Sequence, residues 1–268
     1  MTDETGTDSY AFPMSYGQSQ LWYLHEMDPE STAYNIPFAF RYSGRLDVEA
    51  LRRALQELVN RFEPLRTNFV QLEGEPRQII RPSRKVSFDI VKVSPDTCDS
   101  VEAVIRQSID DEARSPFDLQ NDLMVRARLL VIYELDSVLL LSFHHIAVDH
   151  IAVLRLKREL EDIYAALIAG SSPPTPREEI QYADFTIWQL DTIQGDALEE
   201  RLSYWSREFE NRAGILPLPT DFPRPPAQTF SGAEIPFEFS PGVSEECRRF
   251  CKNARISPFV LLLAALKV

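Results

Sequence analysis

The sequence predicts an α+β fold, and three observations carry that expectation. Segments with helical periodicity and segments rich in β-branched and aromatic residues are mixed, without the strict strand–helix alternation of a doubly wound parallel sheet. Two β-rich runs, 125–133 and 137–143, are separated only by Glu134-Leu135-Asp136, which reads as a hairpin. A chain of 268 residues that is 44% hydrophobic and 26% charged has the balance of a globular protein and the length for one large core or two modest ones.

In chain order, 36–42 reads as a strand ended by Ser43-Gly44. Leu51, Leu55, Leu58, Val59 and Phe62 then recur at helical spacing, so a helix is expected over 48–62 with Asp47 as its N-cap. Runs 67–72 and 78–81 flank Glu73-Gly74-Glu75-Pro76 and suggest a hairpin, and 86–93 a further strand. Val101, Val104, Ile105 and Ile109 give a helix capped by Ser100. After the 125–143 hairpin, Leu156, Leu160, Ile163, Tyr164 and Leu167 mark one face of a helix over 151–169, with Gly170 as its stop.

The run 171–176, Ser-Ser-Pro-Pro-Thr-Pro, is the clearest linker, so we expect a first lobe over 1–172 and a second part over 173–268. The second part holds helical segments near 182–190 and 198–211 and a proline-rich stretch over 216–226. Ser257-Pro258, an N-cap and first-turn pair, opens the apolar helix 259–266. Such a helix needs a partner surface, so we expect a chain that continues beyond Val268, or an assembly that covers this helix.

A net charge of −13 argues against a broad nucleic-acid or anionic-membrane surface. No apolar run is long enough to cross a bilayer. The acidic, polar stretch Met1 to Tyr10 reads as a frayed terminus rather than a secretory signal, which makes a cytoplasmic location the expectation. Cys98, Cys247 and Cys251 are an odd number, suited to a reducing compartment. Cys247 and Cys251 share one helix face but have no further ligands near them in sequence, so they read as packing or exposed thiols and no metal is expected there.

Three of the four histidines fall in His144-His145-Ile146-Ala147-Val148-Asp149-His150, at a strand–helix junction of the kind that often carries chemistry. Adjacent residues on a strand point to opposite faces, so one of His144 and His145 faces a cavity and the other packs inward. Asp149, at the turn into the helix, would want a cationic partner if that turn is buried. A metal set of His145, Asp149 and His150 would leave the site short of ligands. With no Gly-x-Ser-x-Gly elbow, direct transfer between two bound substrates fits better than a covalent acyl-enzyme.

The pattern His-His-x-x-x-Asp resembles the core motif of the condensation-domain superfamily of nonribosomal peptide synthetases. Other segments support the resemblance in the family's order. The run from Ser15 to Leu24, SYGQSQLWYL, is similar to the opening motif, and Tyr34-Asn35-Ile36-Pro37 follows it. Arg61 to Phe69, RFEPLRTNF, resembles Arg-His-Glu-x-Leu-Arg-Thr-x-Phe. Tyr182 to Trp188, YADFTIW, and Leu218-Pro219-Thr220-Asp221 complete the series. The resemblance implies a chloramphenicol acetyltransferase-like sandwich, with a complete N-terminal lobe and part of the C-terminal one. It also implies amide formation between a donor acyl or peptidyl thioester and an acceptor aminoacyl thioester.

By the same resemblance, the domain binds no cofactor of its own. The substrates ride on the phosphopantetheine of upstream and downstream carrier proteins, and an adenylation domain is a neighbour. His145 is implied to face the reacting amine, with His144 and Asp149 structural and Asp149 paired with Arg66. The chain departs from the pattern at His150, where glycine is usual, at Gln20, where arginine is usual, and at Phe62, where histidine is usual. His150 is therefore a candidate for a residue lining the substrate tunnel. An epimerisation domain, a specialised condensation domain and a non-catalytic relative that recruits partners are the alternatives. With only part of the second lobe, the fragment alone is expected to be inactive.

Overall fold

The computed structural model describes residues 9–94, 100–175, 180–210, 214, 218–226 and 235–267. The expectations for residues 1–8, Cys98, Pro176, Asn211 and Leu216-Pro217 fall outside these. The described chain forms two compact units, divided between Ile215 and Leu216.

In the first unit the elements run β1 (Tyr10–Pro13), α1 (Tyr16–Met27), β2 (Asn35–Ser43), α2 (Val48–Arg61), a 3-10 turn (Glu63–Arg66), β3 (Thr67–Leu72), β4 (Glu75–Ile80) and β5 (Phe88–Lys92). They continue with α3 (Val101–Ala113), β6 (Val125–Tyr133), β7 (Asp136–His144), α4 (His150–Ile168), α5 (Tyr182–Thr192) and α6 (Gly195–Phe209). The second unit contains α7 (Pro241–Ala254) and α8 (Pro258–Leu266). This is the α+β architecture the sequence predicts.

Two sheets organise the first unit, one of three strands ordered β1-β4-β3 and one of four ordered β2-β7-β6-β5. The second sheet is antiparallel except for β5, which runs parallel to β6. Helices α2 and α4 cover one face of it, burying Leu55, Leu58, Leu160 and Ile163 against Leu129, Leu139, Leu141 and Phe143. Helix α3 covers the other face, with Ile105 packed among Leu130, Ile132, Val138 and Leu140. Strand β7 is thus buried on both faces, which explains its almost unbroken apolar sequence. Its nine-residue pairing with β2 runs from Ser43–Asp136 to Asn35–His144 and fixes where the strand ends.

Helix α2 forms as its periodicity requires: Leu51, Leu55, Leu58 and Val59 are all buried, and the Asp47 carboxylate accepts the Ala50 N–H at 2.9 Å. The hairpin turn is tighter than the sequence suggests. Glu73 and Gly74 alone form it, at φ of 53° and 86°, the conformation of a two-residue turn that matches strand twist. Pro76 therefore falls inside β4, just before the stretch Arg77–Ile80 that β1 pairs.

Helix α5 follows the linker 171–176 in sequence and is fastened within the first unit by neutral polar groups. The Gln78 side-chain amide donates to the Pro13 carbonyl at 2.9 Å and to the Thr186 hydroxyl at 3.2 Å. Its oxygen accepts from the Gln18 amide at 3.3 Å, and the hydroxyls of Ser15 and Tyr182 lie 3.0 Å apart. Gln18, Gln78, Ser15 and Thr186 are all buried. Buried polar groups are costly when left unpaired, so replacing one member strands the others. We expect Gln78→Leu to destabilise the unit by about 1–3 kcal/mol, the range for an orphaned buried donor or acceptor. Urea unfolding measures this, and an unchanged midpoint would refute the assigned role.

Candidate active site

The site sits where β7 gives way to α4. Residues 144–150 leave the sheet, turn and enter the helix in seven residues. His144 is the last strand residue, 3% exposed, on the face of the sheet opposite Phe143. Its Nδ1 accepts the backbone N–H of Ile146 at 3.1 Å, which leaves Nε2 as the protonated nitrogen of the neutral ring. The rings of His25, Tyr34 and Phe117 surround it with centroids 6.0–6.4 Å away. Burial pushes the His144 pKa down to about 4, and the positive charge of nearby His25, His145 and Arg126 adds to the shift. Arg126 is held over the Phe117 ring at 3.9 Å and donates to the carbonyls of Ser115 and Pro116.

His145 takes the opposite orientation, as strand alternation predicts. Its backbone N–H is tied to the Tyr34 carbonyl at 2.9 Å, while its side chain is exposed. It lines an open cleft of about 380 Å³ with Gly17, Leu21, Asp149, Ala152 and Tyr182. Beneath the cleft, Ile146 anchors the turn in a small apolar cluster with Met14, Phe69, Phe117, Leu119 and Met124. The histidine that meets solvent therefore stands on a rigid base.

Asp149 corrects one expectation. It is exposed and serves as the N-cap of α4, its Oδ1 accepting the Ala152 N–H at 2.7 Å. Arg66, the implied partner, is engaged elsewhere: it donates to the Arg81 carbonyl and lies 3.6 Å from a Glu63 carboxylate oxygen. The carboxylate needs no cation because the helix end supplies N–H donors and a partial positive charge.

His150 is the first residue of α4, with its exposed ring 5.5 Å from Phe38. It is not among the residues lining the His145 cleft. Its φ is not positive, so the backbone here does not itself require glycine. The first N–H groups of α4, those of His150 and Ile151, have no intrahelical acceptor by position and open at the helix's positive end. Among the described residues, no three His, Cys, Asp or Glu side chains are gathered to hold a metal, so His145, Asp149 and His150 do not form a ligand set. No helix among the described residues is long and apolar enough to cross a membrane.

Sequence reasoning left four residues around this site unassigned. Ser15 and Gln18 form a capping box at the start of α1, a signal legible in the Ser-x-x-Gln spacing. His25 reaches His144 only through the fold, and no local pattern announces it. Tyr182, quoted only as part of a motif, proves to be a wall of the His145 cleft.

Comparison with known proteins decides the family. The Condensation domain family model matches residues 9–268. This chain belongs to the condensation-domain family. It is 35% identical over 255 residues to a linear gramicidin synthase of Brevibacillus parabrevis, covering 95% of this chain and 5% of that protein. Among solved structures it resembles the X-domain crystallised in complex with OxyB from teicoplanin biosynthesis, at 27% identity and TM-score 0.71, over 82% of this chain and 48% of that one. The first condensation domain of the CDA synthetase shares the fold at TM-score 0.69 and 19% identity, over 77% of this chain and 52% of that one. The chain thus spans about half of the solved relatives it matches. The chloramphenicol acetyltransferase-like architecture expected from the motifs is the one found.

Two outcomes follow from this condensation-domain geometry. Because the folded state holds His144 neutral down to about pH 4, against an ordinary value of 6.5, the unfolded chain binds the extra proton between these values. His144 thus contributes stability that is fully present above pH 6.5 and is lost as pH falls toward 4. The ceiling is about 3 kcal/mol at about 1.4 kcal/mol per pH unit. Urea midpoints across this window should fall with pH in the unaltered chain and fall less steeply in His144→Asn. Equal slopes would contradict the assignment. Asp149→Ala should cost about 0.5–2 kcal/mol by loss of the cap, while Asp149→Ser recovers most of it; an Asp149→Ala chain with unchanged stability would overturn the capping role.

Proposed function

We propose that this condensation domain is of the nonribosomal peptide synthetase type and joins a donor acyl or peptidyl thioester to an acceptor aminoacyl thioester, both borne on carrier proteins. One observation carries the reading. A pair of adjacent histidines is split by the end of β7, so that one is sequestered and neutral while the other stands exposed in a cleft.

In the reaction, the acceptor nitrogen attacks the thioester carbonyl, a C–N bond forms, and the C–S bond breaks. The nitrogen's proton passes to the departing thiolate, and on this reading His145 accepts and returns it. An α-amino group titrates near ~8, so a useful fraction is neutral at neutral pH and little base strength is required. Holding the amine in line by a hydrogen bond to His145 is then the larger contribution, since positioning makes the step effectively unimolecular. On this reading the positive end of α4, whose Asp149 and Ala152 line the cleft, favours negative charge on the carbonyl oxygen. Asp149 and His144 support this arrangement through the cap and the buried ring, and Arg66 supports it from the preceding 3-10 turn through Arg81.

We further propose that 1–172 corresponds to the N-terminal lobe and 173–268 to a linker and part of the C-terminal lobe. On this reading the domain itself binds no cofactor, works beside an adenylation domain in the cytoplasm, and needs its second lobe, so the 268-residue fragment alone should not turn over. A partner-binding role is the second reading, since the chain resembles the X-domain found in a complex with OxyB, and the same assay separates the two. Loaded donor and acceptor carriers incubated with the full-length domain should give the condensed product by intact mass. His145→Ala should reduce its rate by about 10²-fold or more, within the range for a positioned acid–base group, with no change in unfolding midpoint. No product from the unaltered domain would refute amide formation, and release of an inverted monomer would move the assignment to epimerisation.

A further inference from the structure

A second cavity adjoins the His145 cleft. Its volume is about 170 Å³, and Ala147, Val148, Ala152 and Tyr182 line both spaces. Beyond that shared wall it is bounded by the apolar Phe62, Pro64, Leu65, Leu156 and Ile180, with Arg61, Arg155 and Gln181 completing the lining. Leu65 and Leu156 are almost wholly buried, so this wall belongs to the core and does not yield easily. The Tyr182 ring is held by its hydroxyl against Ser15 Oγ at 3.0 Å, itself part of the buried polar network. Tyr182 on α5 and Ala152 on α4 thus stand in the wall common to the two spaces.

We propose that this cavity receives a compact apolar side chain, one aromatic ring in size, of a substrate whose reacting centre lies at His145. The proposal rests on the condensation reading and adds a substrate class to it. Size carries the choice: an apolar cavity of about 150 Å³ accepts benzene, so about 170 Å³ suits a phenyl ring. Position carries the rest. Ala152 stands in the first turn of α4, three residues after the Asp149 cap, and its side chain is a single methyl where it lines both spaces. Phe62 stands where the family's motif usually has histidine, so the wall is more apolar here than the pattern implies. Desolvating a phenyl ring against these groups favours binding in proportion to the apolar area covered.

The chain as it stands can be tested without turnover. With leucine methyls labelled with ¹³C, N-acetylphenylalaninamide should shift Leu65 and Leu156 saturably, while N-acetylglycinamide should not. Leu21 lines only the His145 cleft and so reports binding there instead. In Ala152→Phe the shifts should vanish, with the core Leu129 and Leu139 resonances confirming that the variant is folded. Shifts at Leu21 alone, or none, would overturn the proposal. In the full-length domain the same variant should lower kcat/KM for phenylalanyl substrates about 10- to 200-fold relative to glycyl ones, the range for small changes in an apolar pocket. An equal effect on both would also overturn it. Failure of the unaltered domain to form any amide would count against the condensation reading, whereas the methyl shifts report on the cavity alone.

Discussion

Side chains along a strand alternate between faces, and the site depends on where that alternation stops. Strand β7 is held between β2 and β6 and covered by helices on both faces, so its register cannot slip without driving an entire apolar face into the wrong layer. The pairing of Asn35 with His144 is the last rung. One residue earlier is Phe143, fully buried toward α2 and α4; one later is His145, turned to the cleft. A single-residue shift would turn each side chain to the opposite face, exposing the positions now buried and burying those now open. The core therefore does more than stabilise the domain: it decides which of the two histidines is buried and which is exposed.

Two devices at the edges of this strand complete the arrangement. Capping by Asp149 starts α4 immediately after the turn, and both Asp149 and Ala152 of this helix start line the cleft. The neutral polar network of Ser15, Gln18, Gln78 and Thr186 brings α5 back across the chain and sets Tyr182 as the cleft's other wall. A charged lock at the same place would carry a larger desolvation cost, and its strength would vary with pH. A lock of amides and aliphatic hydroxyls has no group that titrates near neutral pH, so its geometry does not vary there.

Much of this is legible in the sequence, and the reasons differ from element to element. Helices α2 and α4 and the β6–β7 hairpin each bury a continuous apolar set, so their periodicity is strong. Helix α1 is harder to read because one of its buried residues is polar, Gln18, although the capping box marks its start. Helix α7 begins with Ser240-Pro241, the same cap-and-proline signal that Ser257-Pro258 gives for α8. The split between His144 and His145 follows from alternation alone. The pairing of Asp149 with Arg66 comes from a family pattern, and local physics decides otherwise: a helix N-terminus three residues away satisfies a carboxylate that an arginine would have to reach across the fold. His25 is invisible in the sequence because its contact with His144 spans more than a hundred residues.

The central claim is that the fold sequesters His144 and presents His145. Acylation by diethyl pyrocarbonate, mapped by peptide mass spectrometry on the native chain at neutral pH, tests it residue by residue. We expect His145 to be modified early and His144 to remain protected until the chain is unfolded in urea, because only the first side chain is exposed. Modification of His144 as rapidly as His145 in the folded chain would contradict the account.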